Sequence, residues 1–173
     1  MTTDPRTPRL RLTPYRPADE EDFTALFLDE RVARWMGSGP QPEAEVRALF
    51  RRVFDEVYAE QLFDVWAVRR PDGSYAGHAE IKPTEQTGGH EIVYALARDA
   101  WGQGLGTELA EALVSYGFRE LGLSAVHATV AESNTASLKL LDRIGFEHVR
   151  DIRESDGSTT RVLTCLPGSR PAG

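Results

Sequence analysis

The sequence predicts an α+β fold, with a mixed, mostly antiparallel sheet of six to seven strands, a central parallel pair and about four flanking helices. Three observations carry that expectation. Residues 63–68 and 75–81 read as strands on either side of Pro71-Asp72-Gly73-Ser74, a strong hairpin turn. From 90 to 130 a strand, a helix and a second strand follow one another, and a helix of that length is a crossover that sets its two strands parallel. A last strand pair, 146–153 and 159–166, closes around Ser155-Asp156-Gly157-Ser158.

The remaining elements fall between these. Residues 1–8 are polar with two prolines and read as a flexible lead-in, as do 167–173 at the other end. Leu10, Leu12 and Tyr15 alternate around Arg9 and Arg11 as a first strand, ended by Pro17-Ala18-Asp19. Asp19 then suits the cap of a helix carrying Phe23, Leu26 and Phe27. That helix fades at Arg34-Trp35-Met36-Gly37-Ser38-Gly39-Pro40, which is either a hinge plugging the core edge or a lid over a binding site. A second helix follows Pro42, with Val46, Leu49, Phe50, Val53 and Val57 on one stripe, leaving Arg47, Arg51 and Arg52 to solvent. The crossover helix, 105–121, turns Leu105, Leu109, Leu113 and Tyr116 inward and stops at Gly122. The last helix carries Leu138, Leu141 and Ile144 and stops at Gly145. No repeat or linker interrupts 1–173, so one domain is expected.

Bulk chemistry narrows the function. The hydrophobic and charged fractions, 40% and 27%, are those of a soluble globular chain, and no apolar run reaches the ~18 residues of a membrane helix. A net charge of −7 argues against a nucleic-acid surface and favours cationic partners such as amines. One cysteine, Cys165, in an apolar strand, precludes an internal disulfide, and with no secretion signal at the N-terminus points to the cytoplasm. No membrane partner is expected. His90, His127 and His148 lack a metal-binding spacing, so no metal is expected.

The most informative stretch is 90–107, HEIVYALARDAWGQGLGT. A strand ends at Arg98-Asp99-Ala100, and Gly102, Gly104 and Gly106 then alternate before the helix begins. Such glycines allow a sharp turn and leave backbone N–H groups accessible, while the unpaired N–H groups and dipole of the helix end favour an anion. No Lys-Ser or Lys-Thr pair follows Gly106, and the third glycine of a dinucleotide fingerprint is missing, so alone the pattern also fits a plain tight connection. Together with Asn134-Thr135-Ala136-Ser137 and the closing Gly145-Phe146, the stretch resembles the GNAT family of acetyl-CoA-dependent N-acetyltransferases. Trp101 beside Gly102 is similar to the branch containing ribosomal-protein N-terminal alanine acetyltransferases. The resemblance spans nearly the whole chain and is strongest over 91–146.

It implies transfer of acetyl from acetyl-CoA to a primary amine, a peptide N-terminus or a small molecule, by direct attack. The pyrophosphate would rest on the turn of Trp101, Gly102, Gln103, Gly104, Gly106 and Thr107, and the pantetheine arm would pair with backbone near Leu96 and Ala97. Asn134 is either a helix cap or a contact to that arm, or both, and Ser137 one turn on either faces the same ligand or is a plain first-turn polar residue. Trp35 and Met36 would border the acceptor. For the base, Glu91 is the first candidate; His78 and Glu80 share one strand face, where they are rivals and could both line the acceptor cleft, or else are exposed polar residues. Much of the family has a proton-donating Tyr where this chain has Leu141, so Tyr94 or Ser137 would substitute, or the thiolate would leave unaided. The alternative is a non-catalytic acyl-CoA-binding module on the same fold; an aminoacyl-tRNA-directed toxin is disfavoured by the acidic balance. An exposed edge near the last hairpin permits a homodimer without requiring one.

Overall fold

In the computed structural model, which describes residues 4–169, seven strands form the sheet. They are β1 (Arg11–Thr13), β2 (Asp64–Arg69), β3 (Tyr75–Pro83), β4 (His90–Leu96), β5 (Val126–Ala131), β6 (Glu147–Arg153) and β7 (Thr159–Cys165). Their order is β1-β2-β3-β4-β5-β7-β6, and every neighbouring pair is antiparallel except β4 and β5. The helices are α1 (Glu20–Leu28), α2 (Glu30–Ala33), α3 (Glu43–Arg52), α4 (Leu105–Arg119) and α5 (Thr135–Arg143). The expected mixed sheet with a central parallel pair is present, with five helices because Asp29 ends α1 and caps α2 through Arg31 N–H.

Helices cover both faces of the sheet. On one face α4 buries Leu105, Leu109, Leu113 and Tyr116, as its periodicity required, against Ile81, Ile92, Leu96 and Val126. On the other, Phe23 of α1 and Phe50 of α3 join Tyr15, just after β1, in an aromatic layer over Val65 and Ala67. Gly77 of β3 leaves no space for a side chain, because a Cβ there would stand 2.2 Å from the Ala95 carbonyl oxygen of β4.

Several expectations need correction. Residues 4–8 are fastened: Leu12 N–H donates to Pro5 O, and the Trp66 indole N–H donates to Asp4 at 3.1 Å. Residues 1–3 and 170–173 lie outside the described residues. Asp19 does not cap α1 with its side chain; it accepts from Arg16 N–H and from Arg69 Nη2 at 2.6 Å, deep in the protein. Arg69 Nε in turn donates to Thr13 Oγ1, so the pair pins β1, β2 and the entry to α1. Leu49 leaves its stripe and is 42% exposed. After α3 the chain widens into a π-helical turn, Val53–Tyr58, which brings Tyr58 OH to Val65 O (2.7 Å) and beneath Tyr15 N–H (2.9 Å).

β6 forms one edge of the sheet, and all of its residues except the half-buried Ile152 are exposed. Five of its residues are charged or histidine, and a bulge falls between His148 and Arg150, features that blunt an open edge. Cys165 is buried at the end of β7, where burial pushes its thiol pKa up.

Candidate active site

The parallel pair is the centre of interest. The β4–β5 ladder holds a single register pair, Glu91↔His127, at the start of both strands. Ala97 N–H donates to Ala76 O on the β3 side, so by strand alternation the N–H and C=O of Leu96 are directed to the β5 side, where no pairing continues. The indole N–H of Trp101 donates to Leu96 O at 2.8 Å, tying the glycine turn back to the end of β4. Trp101 therefore acts on the backbone of β4, and the Leu96 N–H is the donor directed to the unpaired stretch.

The turn has the conformation its glycines suggested. Gly102 and Gly104 have φ of 73° and 75°, the left-handed region, and Gly104 is the N-terminal cap of α4. Gly106 plays a different part: a Cβ there would meet Leu140 Cδ1 at 3.1 Å, so it brings α4 against α5. The Gln103 side chain donates to Asp99 O within the turn, and Thr107 occupies the first turn of α4. Gly104→Val should therefore strain the backbone and obstruct the turn together, and CoA binding by titration calorimetry should fall by at least tenfold, roughly the factor from 1–3 kcal/mol of strain. Unchanged affinity would remove the turn from the site.

Asn134 caps α5, its Oδ1 accepting from Ser137 N–H at 3.3 Å, so the capping role is realised. Ser137 Oγ lies 3.4 Å from Tyr94 OH, on the α4 and α5 face. Burial, against the opposing Ser137 hydrogen bond, raises the Tyr94 pKa, which keeps the phenol a proton donor. Leu141 is 1% exposed in the core, so the position where the family often carries a tyrosine belongs here to packing.

Glu91 and Tyr94 face opposite sides of β4. Ala95, on the Glu91 side, packs with Leu26 and Val32 from α1 and α2, whereas Ile92 and Leu96, on the Tyr94 side, pack under α4. Glu91 stands opposite Lys82 of β3 and accepts from Thr129 Oγ1 of β5 at 3.1 Å. Burial is the main influence on its carboxyl and raises the pKa; Lys82 and Thr129 pull the other way without cancelling it, and Glu80 adds to the rise.

His78 and Glu80 share that face but differ from expectation. His78 is 3% exposed, enclosed by Tyr15, Phe23 and Phe27, and therefore out of a substrate's reach. A carboxylate can only accept, so His78 Nε2 donates to Glu80 Oε1 at 2.8 Å. In the neutral ring Nδ1 then accepts from Tyr15 OH, also at 2.8 Å, and Tyr75 OH donates to Tyr15. Burial works against ionisation of Glu80, but the His78 and Lys82 contacts outweigh it and hold its pKa low. Glu80 is thus a fixed anion beside Glu91, with a base's chemistry weakened by its partners. Met36 packs with Leu26, Val32 and Ala95, whereas Trp35 is 38% exposed under the Arg34 guanidinium. The hinge role thus falls to Met36, and Trp35 is the side chain offered outward.

Comparison with known proteins agrees with this fold. A family model described as an acetyltransferase (GNAT) domain matches residues 9–147. The uncharacterized N-acetyltransferase YoaA of Bacillus subtilis is 30% identical over 153 residues, 86% of this chain and 85% of that protein. A GNAT-family acetyltransferase from Bacillus anthracis superposes with a TM-score of 0.80 at 19% identity, covering 95% of this chain and 98% of that one. Spermidine N-acetyltransferase from Vibrio cholerae, solved with CoA and spermine, gives 0.79 at 15% identity, covering 94% and 98%. The protein is an acyltransferase. More particularly, the chain belongs to the GNAT family of N-acetyltransferases. Among the described residues no helix is long and apolar enough to cross a membrane.

Proposed function

We propose that this enzyme moves the acetyl group of acetyl-CoA to a primary amine that is cationic at neutral pH, a peptide N-terminus or a small-molecule amine. The observation that carries the proposal is the loss of pairing between β4 and β5 beyond Glu91, next to a glycine turn at the start of α4. An extended arm meets an unpaired stretch of β4 there, with Leu96 N–H as a free donor, and its phosphates have the N–H groups of the turn. When bound, acetyl-CoA supplies a thioester, an activated acyl group. The chain's own residues do the rest. Leu96 N–H donates to the developing oxyanion. Glu91, more basic than an exposed carboxylate because burial raises its pKa, takes the proton of the amine through ordered water that spans the length of β4 between it and Leu96. Glu80 and the net charge of −7 favour a cationic acceptor, and Trp35 borders its entrance. No dedicated acid is needed, because a thiolate leaves unaided at neutral pH.

The test is acetyl-CoA-dependent thiol release across peptides with free N-termini, polyamines and aminoglycosides. Turnover of one class is expected, with blocked N-termini and acetylated amines inactive. CoA binding with no turnover of any amine would favour a binding module and defeat the catalytic assignment.

A further inference from the structure

We infer that Arg9 is a positioning residue of the acyl-CoA site, holding the glycine turn from beneath and turning one guanidinium nitrogen toward the phosphates. The inference rests on the reading of that turn as the CoA site. Its ground is a set of contacts between the segment before β1 and the start of α4. Arg9 Nε donates to Glu108 Oε1 at 2.9 Å, and its backbone N–H donates to Oε2 at 3.1 Å. Thr7 Oγ1 donates to the same oxygen. Arg9 Nη1 donates to Gln103 O at 2.7 Å, the carbonyl between the two left-handed glycines.

Two of the three guanidinium nitrogens are thereby fixed, and the planar fork fixes the direction of the third. Nη2 lies 3.5 Å from where a Cβ on Gly104 would stand, on a side chain that remains 49% exposed. Glycine at 104 keeps that approach open. Glu108 by itself is an awkward neighbour for an anion at this helix end, since its carboxylate sits in the first turn of α4. With Arg9 clamped on it, the local charge is neutralised and a charge-assisted donor faces the turn. Lysine has three donors but on one nitrogen, without the planar fork that holds the carboxylate and the carbonyl at separate points while a third nitrogen faces a ligand.

Arg9→Gln and Glu108→Gln, each titrated with CoA and with pantetheine, which has the thiol arm but no phosphate, test the inference. Arg9→Gln should raise the Kd for CoA by about tenfold or more, the scale of a lost charged hydrogen bond, and leave pantetheine unchanged. Arg9→Lys should recover only part of the loss. Glu108→Gln separates the two roles by sign. Removing a carboxylate near an anion should tighten CoA by simple electrostatics, whereas loss of the anchor for Arg9 should weaken it. Wild-type affinity in Arg9→Gln, tighter CoA binding by Glu108→Gln, or equal weakening of CoA and pantetheine with a lowered Tm would each overturn the inference. If the wild-type protein itself bound no CoA, the reading of the turn would fall, and this inference with it.

Discussion

Glu91→Gln should lower kcat by about 10²–10⁴-fold, the usual worth of a positioned general base, and leave acetyl-CoA affinity unchanged. The amide keeps the size of the side chain and can still accept from Thr129 Oγ1, so the β4–β5 contact survives while the proton acceptor is lost. The pH profile gives a second readout. A base works when deprotonated, and burial raises the pKa of Glu91, so the acid limb of kcat/KM should lie above the ordinary glutamate range and vanish in the variant. Wild-type turnover in Glu91→Gln, or an unshifted acid limb, would assign the proton transfer elsewhere.

Asp19→Ala should be the most damaging single change to stability among the contacts described. Asp19 and Arg69 are 3% and 8% exposed, and removing one partner of a buried ion pair leaves the other charge uncompensated, at about 3–5 kcal/mol. Against a total of ~5–15 kcal/mol, the variant should unfold at markedly lower urea, and Asp19→Ala with Arg69→Met should cost less than the sum of the single changes. Burial alone would raise the Asp19 pKa, but the hydrogen bond and charge of Arg69, with help from Arg16, lower it. A carboxyl with a depressed folded pKa stabilises fully above its unfolded value of about 3.9, and that contribution fades as pH falls through the folded value. The gap between wild type and Asp19→Ala should therefore close in acid. A gap that stayed constant to low pH would locate the damage in packing.

The sequence made the fold legible because its signals were local. Alternation across Pro71–Ser74, the glycine turn and the stripes of α4 each occupy a few adjacent residues, and the parallel pair follows from the length of the crossover. The site was only half legible. That Glu91 and Tyr94 face opposite sides is legible in their odd separation on one strand. The burial of His78 is not, because its aromatic cover comes from α1 and from Tyr15, just beyond β1. Arg69 and Asp19 lie 50 residues apart and Arg9 and Glu108 lie 99 apart, so no periodicity links them. Leu49 fell from its stripe and Val53–Tyr58 widened to a π-turn because packing overrode the ideal helical period.

The sealed thiol of Cys165 has a practical consequence. It is the chain's one cysteine, 3% exposed and with its thiolate disfavoured by burial, so aromatic disulfide reagents and alkylating agents should pass the folded protein by. Free CoA is then the signal such a reagent reads, and storage in air has no ready route to covalently linked copies. The same residue becomes a clock for unfolding, since labelling begins when β7 opens.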